Sequence, residues 1–123
     1  MIFGHGIDIC LVDRFSEFHP QSPFLKRFFQ ESEISYAFEK ASPKEHLAGF
    51  FAAREALLKA LGTGMSEGIR LQDMEVIHLP SGQPFLKITG RTQELLTSKE
   101  IKAVHLSISH HEHEAVASVI LEN

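Results

Sequence analysis

The chain has 123 residues, 43% of them hydrophobic and 23% charged, and 12 Lys+Arg against 16 Asp+Glu give a formal net charge of -4. These values describe one ordinary globular domain spanning residues 1–123; they exclude a disordered chain, a second domain and nucleic-acid binding through overall basicity. A lone cysteine, Cys10, can form no internal disulfide, no stretch approaches the ~18 apolar residues of a membrane span, and MIFGHGIDIC lacks the basic start of a signal peptide, so a cytoplasmic location is expected. A domain this small buries only about two-thirds of its unfolded surface, which disfavours a deep pocket within one chain and favours sites shared between subunits.

Met1 to Cys10 reads as a strand broken by Gly4 and Gly6, with Asp8 at its far end. Leu11 to Phe18 is expected to be helical. After the turn-rich His19-Pro20-Gln21-Ser22-Pro23, short helices are expected over Phe24 to Phe29 and Glu31 to Lys40. A long helix should run from about Pro43 to Leu61, with Ser42 as N-cap, Pro43 in the first turn, Glu45 completing a capping box and Gly62 as left-handed C-cap. Asp73 to Leu79 and Phe85 to Thr89 flank Pro80-Ser81-Gly82-Gln83-Pro84 as a hairpin, and Thr92 to Lys99 is a short helix. Ala103 to Ser109 alternates apolar and polar residues and pairs with Ala115 to Leu121 as a second hairpin. No repeat, linker or low-complexity segment is present.

Leu47, Phe50, Phe51, Leu57, Leu58 and Leu61 should form the core surface of the long helix. Glu55 and Lys59 lie four residues apart on another row, near Ala48, Ala52 and Gly62, whose small size is expected to leave open space there. In isolation they read as a solvated ion pair worth about 0.2–0.5 kcal/mol. Asp8 is either a cap for the following helix or a ligand. With Glu55 it offers two hard oxygen donors, and two carboxylates completed by phosphates and water suit magnesium. His110, His111 and His113 invite a zinc reading, but the chain has no HExxH and its cysteine is distant in sequence. His105-Leu106-Ser107 matches one half of a two-histidine phosphoesterase motif, and no second copy exists.

The segments GHGIDI (Gly4 to Ile9), FAAREALLKALGTG (Phe51 to Gly64), VHLSISH (Val104 to His110) and AVASVILE (Ala115 to Glu122) resemble, over nearly the whole chain and in order, the holo-acyl-carrier-protein synthases, the short bacterial class of 4'-phosphopantetheinyl transferases. The resemblance implies an α+β fold in which a small, mainly antiparallel sheet packs on the long helix, and a homotrimer with intersubunit sites. It implies transfer of 4'-phosphopantetheine from coenzyme A to a serine of apo-acyl carrier protein, releasing adenosine 3',5'-bisphosphate in support of fatty acid biosynthesis. Asp8 and Glu55 would hold Mg2+, and Lys59 would face the phosphates as the third catalytic residue. The implied coenzyme-binding set is Lys44, Arg54, Lys59, Gly64, His105 and Ser107, the last two at the nucleotide end. The base could be Glu55, Asp8 or a water held by these carboxylates, the last preferred.

Two positions depart from the family pattern: Arg54 stands where lysine is usual, and Phe50 where arginine is common, so one cationic contact to the coenzyme is missing, replaced or exchanged for packing, with Lys44 as a candidate substitute. Acyl carrier proteins are acidic, and residues 14–30 carry Arg14, Lys26 and Arg27 against Glu17. A docking edge there, with Arg14 foremost, is therefore expected. The rival readings are a non-catalytic module that binds an acidic protein and a phosphoesterase.

Overall fold

The computed structural model describes every residue from 1 to 123. Strand β1 (Ile2–Leu11) is followed by a 3-10 turn (Val12–Phe15), helices α1 (Pro23–Lys26), α2 (Glu31–Phe38) and α3 (Pro43–Leu61), and a second 3-10 turn (Leu71–Asp73). Strands β2 (Met74–His78) and β3 (Pro84–Ile88), helix α4 (Gly90–Ser98), and strands β4 (Ala103–His110) and β5 (Glu114–Glu122) complete the chain. The strands form an antiparallel β1-β5-β4 sheet and a separate antiparallel β2-β3 hairpin. This is an α+β fold with small antiparallel sheets and α3 as its central helix.

Pro43 opens α3, and Gly62 (φ 79°) ends it in the left-handed region, its N–H donating to the Leu58 and Lys59 carbonyls. Leu47, Phe50, Leu57, Leu58 and Leu61 are buried as expected, each contributing roughly 1.5–3 kcal/mol of transfer free energy. Ala48, Ala52, Ala56 and Ala60 are also buried and leave no open space, whereas Gly62 faces it as expected. Ala56 and Ala60 form a seam against β1, where a Cβ on Gly4 would stand 2.0 Å from the Ala60 carbonyl oxygen and one on Gly6 2.0 Å from that of Ala56. The missing side chains let backbone meet backbone. Along β1, Gly6, Asp8 and Cys10 are turned toward this seam, while Ile7, Ile9 and Leu11 are 55%, 61% and 59% exposed.

Two local expectations change. The segment from Leu11 to Phe18 is helical only over Val12–Phe15, because Leu11 is extended (φ -71°, ψ 127°) and pairs with Glu114 in β5. Ser42 makes no side-chain cap bond, and the Glu45 carboxylate accepts instead from His110 Nδ1 at 2.9 Å. The capping box belongs to α2, where Gln30 caps and its backbone N–H donates to Glu33 Oε1 at 2.8 Å.

Candidate active site

The Gly4–Gly6 seam brings Asp8 against the C-terminal half of α3. Its Oδ1 accepts from Lys59 Nζ at 3.0 Å, and the same ammonium donates to the Ile7 carbonyl at 3.0 Å. Lys59 therefore pairs across the seam, and the i,i+4 pair with Glu55 is absent from the ion pairs of the chain. Asp8 is likewise no cap, since Leu11 occupies the N-cap position of the following turn. One turn before Lys59, burial and then the Asp8 charge push the Glu55 carboxyl above the usual carboxylate range, with Lys59 and Arg14 drawing it partly back. Two hard-oxygen groups, one of which is raised by the charge of the other, suit a divalent cation that also binds phosphate and water. No group of three or more His, Cys, Asp or Glu side chains is arranged to hold a metal by itself, which removes the zinc reading of His110, His111 and His113.

A second constellation lies at the N-terminal half of α3. A cavity of about 160 Å³ is lined by Tyr36, His46, Phe50, His78 and His110 together with Pro84 of β3. Tyr36 and His78 stack with ring centroids 4.0 Å apart and planes at 2°, and His46 stands edge-on to His110 at 4.9 Å. Phe50 is 2% exposed and touches the rings of Tyr36, His46 and His78. Its place at the cavity explains what phenylalanine supplies there: apolar packing and no charge.

A family profile described as the 4'-phosphopantetheinyl transferase superfamily matches residues 4–119. Holo-[acyl-carrier-protein] synthases from Syntrophus aciditrophicus and Geobacter sp. are 42% and 44% identical over 124 residues each, covering 99% of this chain and 97% and 99% of theirs. The chain belongs to this transferase superfamily, among its holo-acyl-carrier-protein synthases. The fold agrees: the Neisseria meningitidis synthase superposes over 100% of both chains with a TM-score of 0.87 at 29% identity. A Bacillus anthracis synthase crystallised in complex with CoA (3',5'-ADP) covers 98% of this chain and 96% of its own, with a TM-score of 0.79 at 36% identity.

In this synthase the residues implied by the motifs separate into distinct places. Asp8, Glu55 and Lys59 come together, with Arg14 close enough to act on Glu55. Arg14 is exposed, lies over the Phe51 ring at 4.9 Å and reaches Cys10 Sγ at 3.8 Å. Lys26 and Arg27 are exposed in and after α1 and make no ion pair. Gly64 sits beyond the end of α3 in open space with φ 60°. Lys44 turns to Asp13 at 3.5 Å, away from the histidine cavity, so it does not replace a cation beside Phe50.

Arg54 is the clearest correction. Its guanidinium is 0% exposed, so it is closed to a coenzyme. It pairs with both Glu33 oxygens and donates to the carbonyls of Phe50 (3.2 Å), Leu71 (3.0 Å) and Met74 (2.7 Å). The remaining Glu33 capacity is taken by the Val76 and Gln30 N–H groups. This satisfied ion pair ties α2, α3 and β2 together. His105 and Ser107 lie away from the histidine cavity. They stand on the exposed face of β4, where His105 bonds Glu122, whereas the next α3-facing position beyond Ile108 brings His110 to Glu45 and His46. Sequence reasoning missed Tyr36, His46 and His78 at this cavity. Strand parity could have selected His110 over His105, since Val104, Leu106 and Ile108 are the half-buried positions of β4.

Proposed function

We propose that this protein transfers 4'-phosphopantetheine from coenzyme A to a serine of apo-acyl carrier protein with Mg2+, in the cytoplasm and in support of fatty acid biosynthesis. The observation that carries the reading is the convergence of Asp8, Glu55 and Lys59 at a seam no side chain can enter. Phosphoryl transfer to an alcohol needs positioning and charge neutralisation more than covalent catalysis. Asp8 and Glu55 would hold the ion, which when bound supplies Lewis-acid neutralisation of the coenzyme diphosphate. Lys59 would turn from Asp8 to the phosphate oxygens, and a water hydrogen-bonded to the carboxylates would relay the serine proton to one of them as the serine oxygen bonds to phosphorus and the diphosphate P–O bond breaks to release adenosine 3',5'-bisphosphate.

A homotrimer with shared sites is part of the same reading. His46 and Glu55 are nine residues apart, which at ~3.6 residues per turn sets them on opposite sides of α3 and about 13 Å apart along its axis. One ligand reaching both kinds of group is better served by two copies of the chain. The exposed Ile7, Ile9 and Leu11 face of β1 offers apolar area for that contact. Arg14, Lys26 and Arg27 form the edge for the acidic carrier, with Arg14 reaching from that edge to the carboxylates.

Incubation with coenzyme A, Mg2+ and apo-acyl carrier protein should add phosphopantetheine to the carrier, read by mass spectrometry. Asp8→Ala and Glu55→Ala should each lower the rate about 10²–10³-fold, the scale of one lost transition-state charge contact. No adduct at any Mg2+ level, with unchanged coenzyme binding in both variants, would leave a non-catalytic binding module as the reading. Arg14→Glu should weaken carrier affinity about three- to tenfold and spare coenzyme affinity, since it removes an exposed charge at an interface edge.

A further inference from the structure

The cavity at the N-terminal half of α3 holds titratable rings where a fixed charge would be the simpler receptor for an anion. His46, His78 and His110 line it with Tyr36, and it shares Tyr36, His78 and Gly82 with a neighbouring groove of about 460 Å³ whose charged side chains are Lys40 and Glu75, the latter bonded to Ser32. No guanidinium lines either space. His78 lies flat on Tyr36, and His46 meets His110 edge-on at 4.9 Å, a separation at which two protonated rings repel, so a second charge on that pair is disfavoured while the cavity is empty of anions.

The charges around these rings agree. Burial, then His110, His78 and Lys40, lower the proton affinity of His46, against which Glu45 acts. Burial and Lys40 do the same for His78, opposed by Glu33. Both opposing carboxylates are engaged elsewhere, Glu45 with His110 and Glu33 with Arg54 and the Val76 N–H. His46 and His78 are thus imidazoles whose surroundings disfavour the proton, a balance that an incoming anion reverses.

Resting on the transferase reading above, we propose that His46 and His78 take up a proton when the phosphate monoester at the nucleotide end of coenzyme A enters this cavity, so that coenzyme affinity rises as pH falls from about 8 to about 6.5. The sign follows from linkage. The free rings are unprotonated, a dianion beside them raises their proton affinity, and binding therefore absorbs a proton. Each proton so linked changes the affinity by at most about tenfold per pH unit. Phe50 gives the cavity its apolar wall, and the histidines give it a charge that exists only when the ligand is present.

The test is calorimetric titration of the full chain at saturating Mg2+ with coenzyme A and with dephospho-coenzyme A, in buffers of different ionisation enthalpy. Any proton released from Glu55 is common to both ligands, so their difference isolates the monoester. Coenzyme A should take up on the order of half a proton or more beyond dephospho-coenzyme A at about pH 7.5, and its affinity should rise about three- to tenfold by pH 6.5. In the His46→Gln, His78→Gln double variant both effects should fall away, including the difference between the ligands in proton count. Equal proton counts for the two ligands in the unaltered protein overturn the proposal without any variant, as does uptake retained in the double variant, which would assign the proton to the phosphate. If coenzyme A fails to bind at any pH, this inference and the transferase reading fall together; binding and transfer without extra proton uptake overturn this inference alone.

Discussion

The two ends of α3 gather their polar groups in opposite ways. At the C-terminal end Lys59 and the carboxylates of Asp8 and Glu55 gather at a joint made of main chain, with Gly4 against Ala60 and Gly6 against Ala56. At the N-terminal end the groups are imidazoles, assembled by side chains from α2, α3, β2 and β4. The first end is positioned by backbone and carries charge at rest. The second depends on packing between elements and acquires charge by titration. Only the Arg54–Glu33 pair, midway along the helix, belongs to both, because it joins α3 to the helix and strand that carry Tyr36 and His78.

Breaking that link should have the largest effect. Arg54→Ala leaves the Glu33 carboxylate buried without its partner and should cost about 3–5 kcal/mol in urea unfolding. The surviving fold should lose coenzyme affinity at the histidine end before it loses Mg2+ binding. The reverse order would mean that the pair supports the two ends equally. Next, Gly6→Ala puts a Cβ 2.0 Å from the Ala56 oxygen and 2.7 Å from the Ala60 nitrogen, so backbone must move. It should cost about 1–3 kcal/mol, as overpacking does, and weaken Mg2+ binding while the pH dependence of coenzyme affinity stays as it was.

The smallest effects sharpen the contrast through their signs. The Glu55 carboxyl is raised by burial and by Asp8, so the folded state holds its proton longer than the unfolded state, and stability declines as pH rises above the ordinary carboxylate range. Glu55→Gln should therefore raise the metal-free melting temperature near neutral pH by a few degrees at most, while abolishing the stabilisation that Mg2+ confers. For His46 and His78 burial lowers the proton affinity, so their contribution is present above the ordinary imidazole pKa of about 6.5 and is lost as pH falls below it. His46→Phe should flatten that acid limb in a melting-temperature series from pH 7 to 5. An unchanged limb would assign acid sensitivity to other groups.

Much of the acidic end was legible because its signals are local. Asp8 ends an apolar strand pattern, Glu55 and Lys59 share a helix row, and Gly62 marks where α3 stops. The expectation of space beside Ala48 and Ala52 failed because an alanine row is also what allows a strand to approach a helix closely, and only the opposing glycines of β1 decide between the two. Arg54 was misplaced for a reason the sequence does contain: it shares the helical face of Phe50, Leu57 and Leu61, all buried. Its partner Glu33 lies 21 residues away, beyond any local pattern. The histidine cavity was the least legible part, since His46, His78 and His110 meet through tertiary packing of separate elements, and the 32 residues between successive rings lie far beyond any helix or strand period.

The glycine–alanine joint also divides the molecule in time. Two segments locked main chain to main chain cannot part by rotating side chains, so β1 and α3 should open only when the whole domain unfolds. The β2-β3 hairpin hydrogen-bonds to neither β1 nor β4 as a sheet neighbour and is held by the buried Met74, Val76 and Leu86 together with the Glu33–Arg54 pair and stacked rings. Its amides should exchange through local opening while those around Asp8 and Glu55 stay protected, so the wall carrying His78 can loosen and reseat with the carboxylate end still assembled.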